Sequence, residues 1–124
     1  MTELETILRP YNLRPMDFAI LNIVGANPGI HQGGVAGLLG AEPPAVVLAS
    51  DRLESADLLA RYSDPTDRRL RALYLTQNGS KLLPLVLKDV NAQERKFQSA
   101  IPTSHLANFD NALDQLLRTY SILK

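Results

Sequence analysis

The chain has 124 residues, of which 45% are hydrophobic and 21% charged, and these values predict one compact domain rather than a disordered chain. It contains no cysteine, which excludes disulfides, thiolate metal sites and cysteine nucleophiles. Thirteen basic and thirteen acidic residues give zero formal net charge, so any attraction to nucleic acid has to come from a local patch.

The N-terminal part of the chain is predicted to form two helices. Thr2 and Glu5 make a capping-box pattern, which predicts a short first helix that ends at about Tyr11. Pro15 suits the first turn of a second helix, because the amide that it lacks has no intrahelical acceptor there. Asn, Pro and Gly at 27–29 end this helix. Its apolar residues predict that it is buried: Phe18, Leu21, Ile23 and Val24.

Two further helices are predicted on either side of Gly40. The first covers 30–39, although its three interior glycines each cost up to about 1 kcal/mol relative to alanine, so tertiary packing has to hold it. The second is predicted from Pro44 to Ser55, since prolines are tolerated in a first turn and the preceding Glu42 favours the helix dipole. A helix pair joined by such a tight turn is typical of a helix-turn-helix.

A β-hairpin and a long helix follow. Segments 58–63 and 69–75 flank the Asp-Pro-Thr-Asp turn at 64–67, and the second of them alternates in polarity. Thr76 is a good N-cap, and a helix is predicted over 80–99, followed by a last amphipathic helix. We therefore predict a mostly α fold with a small two-stranded β-wing, which is a winged helix-turn-helix with helical extensions.

An ordered motif runs from residue 51 to residue 79. Its members are Asp51-Arg52-Leu53-Glu54, Leu58, Arg61, Asp67-Arg68-Arg69, Leu75-Thr76 and Gly79. Upstream, Leu13–Phe18 and Pro28–Gly40 fit the helices that precede such a wing. In these segments the chain resembles the MarR family of bacterial transcription regulators.

The resemblance implies a homodimer on double-stranded DNA. Each subunit would place its wing and recognition helix on one half of a palindrome, using a winged-helix DNA-binding part at about 14–79. The remaining segments, at about 1–13 and 80–124, would form the helical dimerisation part. Because the first helix is short, dimerisation should rest mainly on 80–99 and 104–124. The family also implies a small aromatic effector bound between the two parts.

The wing carries a local surplus of positive charge. Between Arg61 and Lys81 there are five basic residues and two acidic ones. The resemblance implies that Arg69 approaches the minor groove and that Asp67 orients it, which suits the negative potential of a narrow groove. A solvated hairpin face, with a surface ion pair worth less than about 1 kcal/mol, is the other interpretation. The candidate DNA contacts are Arg69, Arg68, Arg71, Arg52, Gln32, Ala45, Val47 and Leu48.

The predicted recognition helix departs from the family, because Ala45, Val47 and Leu48 stand where polar residues are usual. They can offer contact only to a thymine methyl group, so direct readout of bases should be poor. Asp57 also replaces the usual glycine before the wing. An alternative function is therefore a winged-helix protein-interaction or ligand-binding module with weakened or lost specific DNA binding, which burial of Val47 and Leu48 would argue against.

Other classes of function lack the residues they need. His31 and His105 are far apart and belong to no HExxH or Ser–His pattern, and no glycine-rich phosphate loop follows a strand, so we predict no catalytic site, metal or cofactor. No apolar run approaches the roughly 20 residues that span a bilayer, and MTELETILRP does not resemble a signal peptide. We expect a cytoplasmic protein that does not contact membranes.

Overall fold

The computed structural model describes residues 2–99, with side chains as far as residue 93. The elements in chain order are α1 (Glu3–Leu8), a short 3₁₀ helix (Arg9–Tyr11), α2 (Pro15–Ala26), α3 (Gln32–Leu39), α4 (Pro43–Ser55), β1 (Leu59–Ser63), β2 (Arg71–Leu75) and α5 (Gln77–Ser99). The predicted mostly α fold with a two-stranded antiparallel wing is confirmed. The last predicted helix, at 104–124, lies outside the described residues.

The hydrophobic core is centred on α2, which is buried on almost every side. Its fully buried side chains pack with Val46 and Leu53 from α4 and with Leu73 from β2. Burial of apolar side chains from all these elements is the main stabilising term for a domain of this size. The wing and the helices therefore share one core: Leu8, Phe18, Ile20, Leu21, Ile23, Val24, Val35, Val46, Leu53, Leu59, Leu73 and Val86.

Helices α3 and α4 form the predicted helix-turn-helix. Gly40 ends α3 in the left-handed conformation with φ of 63°, and its N–H donates to the carbonyls of Ala36 and Gly37. The axes of α3 and α4 are bent by 119° across the turn, within the range typical of this motif. Among the described residues no single helix is long and apolar enough to cross a membrane; only this bent pair reaches the required length and composition.

Five elements begin one to three residues away from their predicted starts; among them, α3 begins at Gln32 rather than at residue 30, and β1 begins at Leu59 rather than at residue 58. Helix α4 begins at Pro43 rather than Pro44. Strand β2 begins at Arg71 rather than Arg69, because 67–70 forms a turn in which the N–H of Leu70 donates to the Asp67 carbonyl at 3.0 Å. Helix α5 begins at Gln77 rather than Ser80, directly after its N-cap Thr76, whose Oγ1 accepts from the N–H of Gly79 at 3.0 Å.

The α2–α3 connection adds a contact to the free edge of β2 that the sequence did not predict. The N–H of Gly29 donates to the Leu73 carbonyl at 2.8 Å, and the N–H of Leu73 donates to the Ile30 carbonyl at 2.9 Å. His31 forms a single antiparallel bridge to Ala72. Gly29 has a φ of 89°, a conformation that favours glycine. The start of the helix-turn-helix is thereby joined to the wing through the backbone.

The junction between α4, the wing and α5 is closely packed. Asp57 adopts the left-handed conformation with φ of 59°. This conformation favours glycine, the residue that the family usually has at this position, and aspartate tolerates it better than most other residues. Thr76 Oγ1 donates to the Asp57 carbonyl at 2.6 Å, and Asn78 Nδ2 donates to Asp57 Oδ2 at 2.7 Å. A Cβ atom on Gly79 would lie 2.2 Å from the carbonyl oxygen of Leu58, so only glycine fits there.

Candidate nucleic-acid interface

The wing tip is built around the carboxylate of Asp64. Its Oδ1 accepts from the N–H and the hydroxyl of Thr66, at 2.8 and 2.6 Å, and its Oδ2 lies 3.0 Å from His31 Nε2. The hydrogen bonds from Thr66 lower the pKa of Asp64 to about 2, and the contact with His31 acts in the same direction. The contact with His31, the N-cap residue of α3, connects the wing tip to the helix-turn-helix.

Acid should therefore loosen the wing tip. Because the folded pKa of Asp64 lies below its ordinary value of 3.8, the carboxylate stabilises the fold above about pH 4, and this contribution is lost as pH falls toward 2. We expect the urea midpoint of the wild type to fall more between pH 5 and pH 3 than that of Asp64→Ala. Parallel pH dependences for the two proteins would contradict this assignment.

Arg69 and Asp67 meet at the wing tip as the sequence predicts. Arg69 Nε donates to Asp67 Oδ1 and Nη2 donates to Oδ2, both at 3.1 Å, while the Arg69 N–H donates to Oδ1 at 3.0 Å. This fork holds the guanidinium in one orientation although the side chain is 89% exposed. The hydrogen bond from Arg69 is the largest cause lowering the pKa of Asp67. The result is an oriented, exposed cation at the end of the wing.

Arg68 and Arg71 lie close to Arg69 along the chain and are also exposed. Arg68 belongs to the turn, whereas Arg71 begins β2 opposite Ser63. All three arginines are thus exposed at the end of the hairpin that carries the turn.

Arg61 does not add to this cationic cluster. Its Nη2 donates to Asp51 Oδ1 at 2.6 Å and to Glu54 Oε1 at 2.7 Å, and Nη1 donates to Gln32 Oε1 at 3.2 Å. The side chain is only 12% exposed, so two carboxylates of α4 balance its charge. The hydrogen bond that Arg61 donates to Glu54 is the largest cause raising the pKa of Arg61. The count of five basic residues between 61 and 81 therefore overstates the positive surplus.

Gln32 and Arg52, two of the candidate DNA contacts, both form hydrogen bonds with side chains of other elements. Gln32 is partly buried and accepts the hydrogen bond from Arg61. Arg52 Nη2 donates to Asp17 Oδ1 at 2.9 Å, and Asp17 is buried, with its Oδ2 accepting from the N–H of Arg14 at 2.9 Å. Asp17 thus caps α2 and holds Arg52 of α4. Sequence reasoning missed this role, for which the only signal is an acidic residue at the third position of a helix.

The remaining candidates lie on the first half of α4. Ala45 is exposed, Val47 is 37% exposed and Leu48 is 61% exposed, while Val46 on the opposite side is buried. The burial of Val47 and Leu48 that would have argued against an interaction module is not observed.

The N-terminus of α4 has few free N–H groups that could bind phosphate. A helix normally offers free N–H groups there, but Pro43 and Pro44 have none. The N–H groups of Ala45 and Val46 donate to the carbonyl of Glu42, the N-cap residue, which also carries a negative charge. Phosphate contacts therefore have to come from other elements, among them the wing with its exposed Arg68, Arg69 and Arg71.

Helix α2, the bent pair α3–α4 and the hairpin against them define a winged helix-turn-helix. The family model described as the MarR family matches residues 13–70. Together with the fold that the chain shares with solved structures of such regulators, this match confirms the predicted resemblance to the MarR family of transcriptional regulators.

Relatives and solved structures agree with this assignment. A putative transcriptional regulatory protein for the hcr operon of Thauera aromatica is 26% identical over 113 residues, which cover 91% of this chain and 68% of that protein. The structure of the transcriptional repressor CouR bound to a 23-mer DNA duplex has a TM-score of 0.81 at 29% identity, covering 94% of this chain and 82% of that one. A MarR-family regulator from Rhodococcus sp. RHA1 has a TM-score of 0.78 at 26% identity, covering 92% and 81%.

Proposed function

We propose that this protein is a dimeric transcriptional regulator that binds double-stranded DNA chiefly through its wing. The observation that carries the proposal is the Arg69 guanidinium, exposed at the wing tip and held in a fork by Asp67. An oriented arginine suits the negative potential of a narrow minor groove, and Arg68 and Arg71 can neutralise neighbouring phosphates. CouR, which shares this fold, has a solved structure bound to a 23-mer DNA duplex.

The proposal includes a homodimer and a small aromatic effector. Residues 14–79 form the DNA-binding part, and 1–13 with 80–124 form the dimerisation part, in a protein that acts in the cytoplasm. Leu85 of α5 is 56% exposed, and an apolar side chain of this size on a dimerisation helix is suited to a partner surface. Tyr11 donates a hydrogen bond to Asp89, so the segment after α1 is linked to α5, next to the region proposed for the effector.

Fluorescence anisotropy tests the proposal. The full chain is titrated against pooled genomic fragments and against a nonspecific duplex, at low and at physiological salt. We expect salt-sensitive binding, because neutralised phosphates release counterions, with selected fragments retained at physiological salt. Absence of binding even at low salt would overturn the proposal. Light scattering at the same protein concentrations measures whether the chain is a dimer.

Replacing Arg69 should weaken this binding strongly. We expect Arg69→Ala to lower DNA affinity by about tenfold or more at low salt. The slope of the logarithm of affinity against the logarithm of salt concentration should become shallower by about one for each subunit. Arg9→Ala is the matched control, since it removes the same charge from an exposed site in the 3₁₀ helix, far from the wing in sequence. Equal affinities of Arg69→Ala and the wild type for every duplex would exclude the wing mechanism.

The second candidate function, a protein-interaction or ligand-binding module, is favoured by one observation. Val47 and Leu48 are exposed on the helix that a DNA-binding relative would use for base contacts. This module requires no DNA affinity, so the same low-salt titration separates the two functions. Binding that depends on Arg69 argues for the regulator, and absence of binding argues for the module.

A further inference from the structure

The first half of α4 presents a face without hydrogen-bonding side chains. We define the apolar face of α4 as Ala45, Val47 and Leu48, which are all exposed. We propose that this face reads the C5 methyl group of pyrimidines in the major groove, so that the protein accepts thymine and 5-methylcytosine alike and discriminates against bases without that methyl group. The inference rests on the proposed DNA-binding function and adds the chemistry by which sequence is chosen.

The nearby polar side chains that could read base edges each have at least one hydrogen-bond partner within the fold. Arg52 is held by Asp17 at 2.9 Å, and Arg61 is held by Asp51 and Glu54. Gln32 accepts its hydrogen bond from Arg61. A base edge is normally read by two hydrogen bonds from Arg, Asn or Gln, and the first half of α4 supplies none of these residues.

The chemistry of the pyrimidines then determines what the apolar face can distinguish. Thymine carries an O4 acceptor and a C5 methyl group in the major groove, whereas cytosine carries an N4 donor and no methyl group. 5-Methylcytosine combines the cytosine donor with the methyl group of thymine, and uracil has the thymine acceptor without that methyl group. A side chain without donors or acceptors responds to the methyl group and not to the polar atom beside it. Thymine and 5-methylcytosine are therefore equivalent ligands for this face.

The place of this face in the fold favours DNA over a protein partner. In helix-turn-helix proteins the N-terminal residues of the second helix contact base edges, and Ala45, Val47 and Leu48 occupy that part of α4. The same unit carries the exposed wing arginines, which would hold the helix against the duplex. If this face bound a protein partner instead, DNA affinity would not depend on the methyl groups of the bases.

Three duplex pools with the same random core test the inference. One pool contains thymine and cytosine, the second uracil and cytosine, and the third uracil and 5-methylcytosine. We expect the uracil pool to bind more weakly by about fourfold for each methyl group that the apolar face would otherwise bury, since each buried methyl group contributes a fixed hydrophobic term. The third pool should bind about as well as the first. The measurement is competition anisotropy with the full chain at one salt concentration.

Variants of α4 assign the effect to the apolar face. Leu48→Ala should bring the thymine and uracil pools closer in affinity, and Val47→Ala should act in the same direction. Both side chains are exposed and alanine favours helices, so neither change should unfold the protein. Arg69→Ala should weaken binding to all pools while keeping the ratio between thymine and uracil.

The outcomes separate failure of this inference from failure of the proposed function. If all three pools bind equally and binding depends on Arg69, the methyl inference is overturned and the regulator stands. If the 5-methylcytosine pool is as weak as the uracil pool, a polar base edge is being read and the inference is likewise overturned. If no pool binds at low salt, the proposed function itself fails and the inference fails with it.

Discussion

Replacing Gly79 by alanine should destabilise the fold by about 3 kcal/mol or more, which is a large part of the stability of a domain of this size. The added Cβ would lie 2.2 Å from the carbonyl oxygen of Leu58 and 3.1 Å from its carbonyl carbon. Because these are backbone atoms, no side-chain rotation can relieve the overlap. The Leu58 carbonyl also accepts from the N–H of Thr76 at 3.1 Å, so moving it would break a hydrogen bond of the junction.

Gly37→Ala is the matched control for this substitution. Gly37 lies inside α3, and a Cβ there would meet no atom within 4 Å. Alanine is favoured over glycine in a helix interior, so we expect Gly37→Ala to stabilise the fold by about 0.5–1 kcal/mol. Both variants are compared by urea denaturation at one protein concentration, because the stability of the proposed dimer would depend on concentration. Equal urea midpoints for Gly79→Ala and the wild type would contradict this prediction, because the junction between α4, the wing and α5 would then accommodate the added Cβ without loss of stability.

Removing the Arg61 side chain is expected to have the second largest effect, about 2–3 kcal/mol. Arg61 is the one described side chain that bonds α3, α4 and the wing together, through Gln32, Asp51 and Glu54. Hydrogen bonds to charged groups are stronger than neutral ones. The two carboxylates are about half exposed, so water rehydrates them in Arg61→Ala and the destabilisation stays below that of a fully buried ion pair.

Two variants give this prediction its controls. Arg71→Ala removes the same charge from an exposed position of the hairpin and should change stability by less than about 0.5 kcal/mol. Arg61→Lys keeps the charge but lacks the planar fork, so its urea midpoint should lie between those of the wild type and Arg61→Ala. If Arg61→Ala and Arg71→Ala are destabilised equally, the bonds of Arg61 to α3 and α4 contribute nothing.

In the proposed function, DNA binding depends on two elements that carry different kinds of side chain. The wing has exposed cations in a held orientation, whereas α4 has an apolar face and an N-terminus without free N–H groups in its first two residues. Phosphate contacts determine affinity and its salt dependence, and contacts in the grooves determine sequence preference. We therefore expect substitutions at Arg69 to change affinity for all duplexes, and substitutions at Leu48 to change which duplexes are preferred.

The sequence by itself determined the elements and their order, because the signals that define them are local. The capping box of Thr2 and Glu5, the prolines at the starts of α2 and α4 and the glycine at the end of α3 each act within one or two helical turns. The pair of Asp67 and Arg69 was implied by the resemblance to the family, and its members are only two residues apart. The ordered motif then identified the family.

Tertiary structure alone decided which charges remain available and which apolar residues stay exposed. Arg52 and Asp17 are 35 residues apart, and Arg61 meets Asp51 and Gln32 only after the wing packs on the helices. Glycine is required at position 79 because a distant carbonyl approaches it. Each of these facts depends on the distance between elements that are separated in sequence, and packing of the shared core determines that distance.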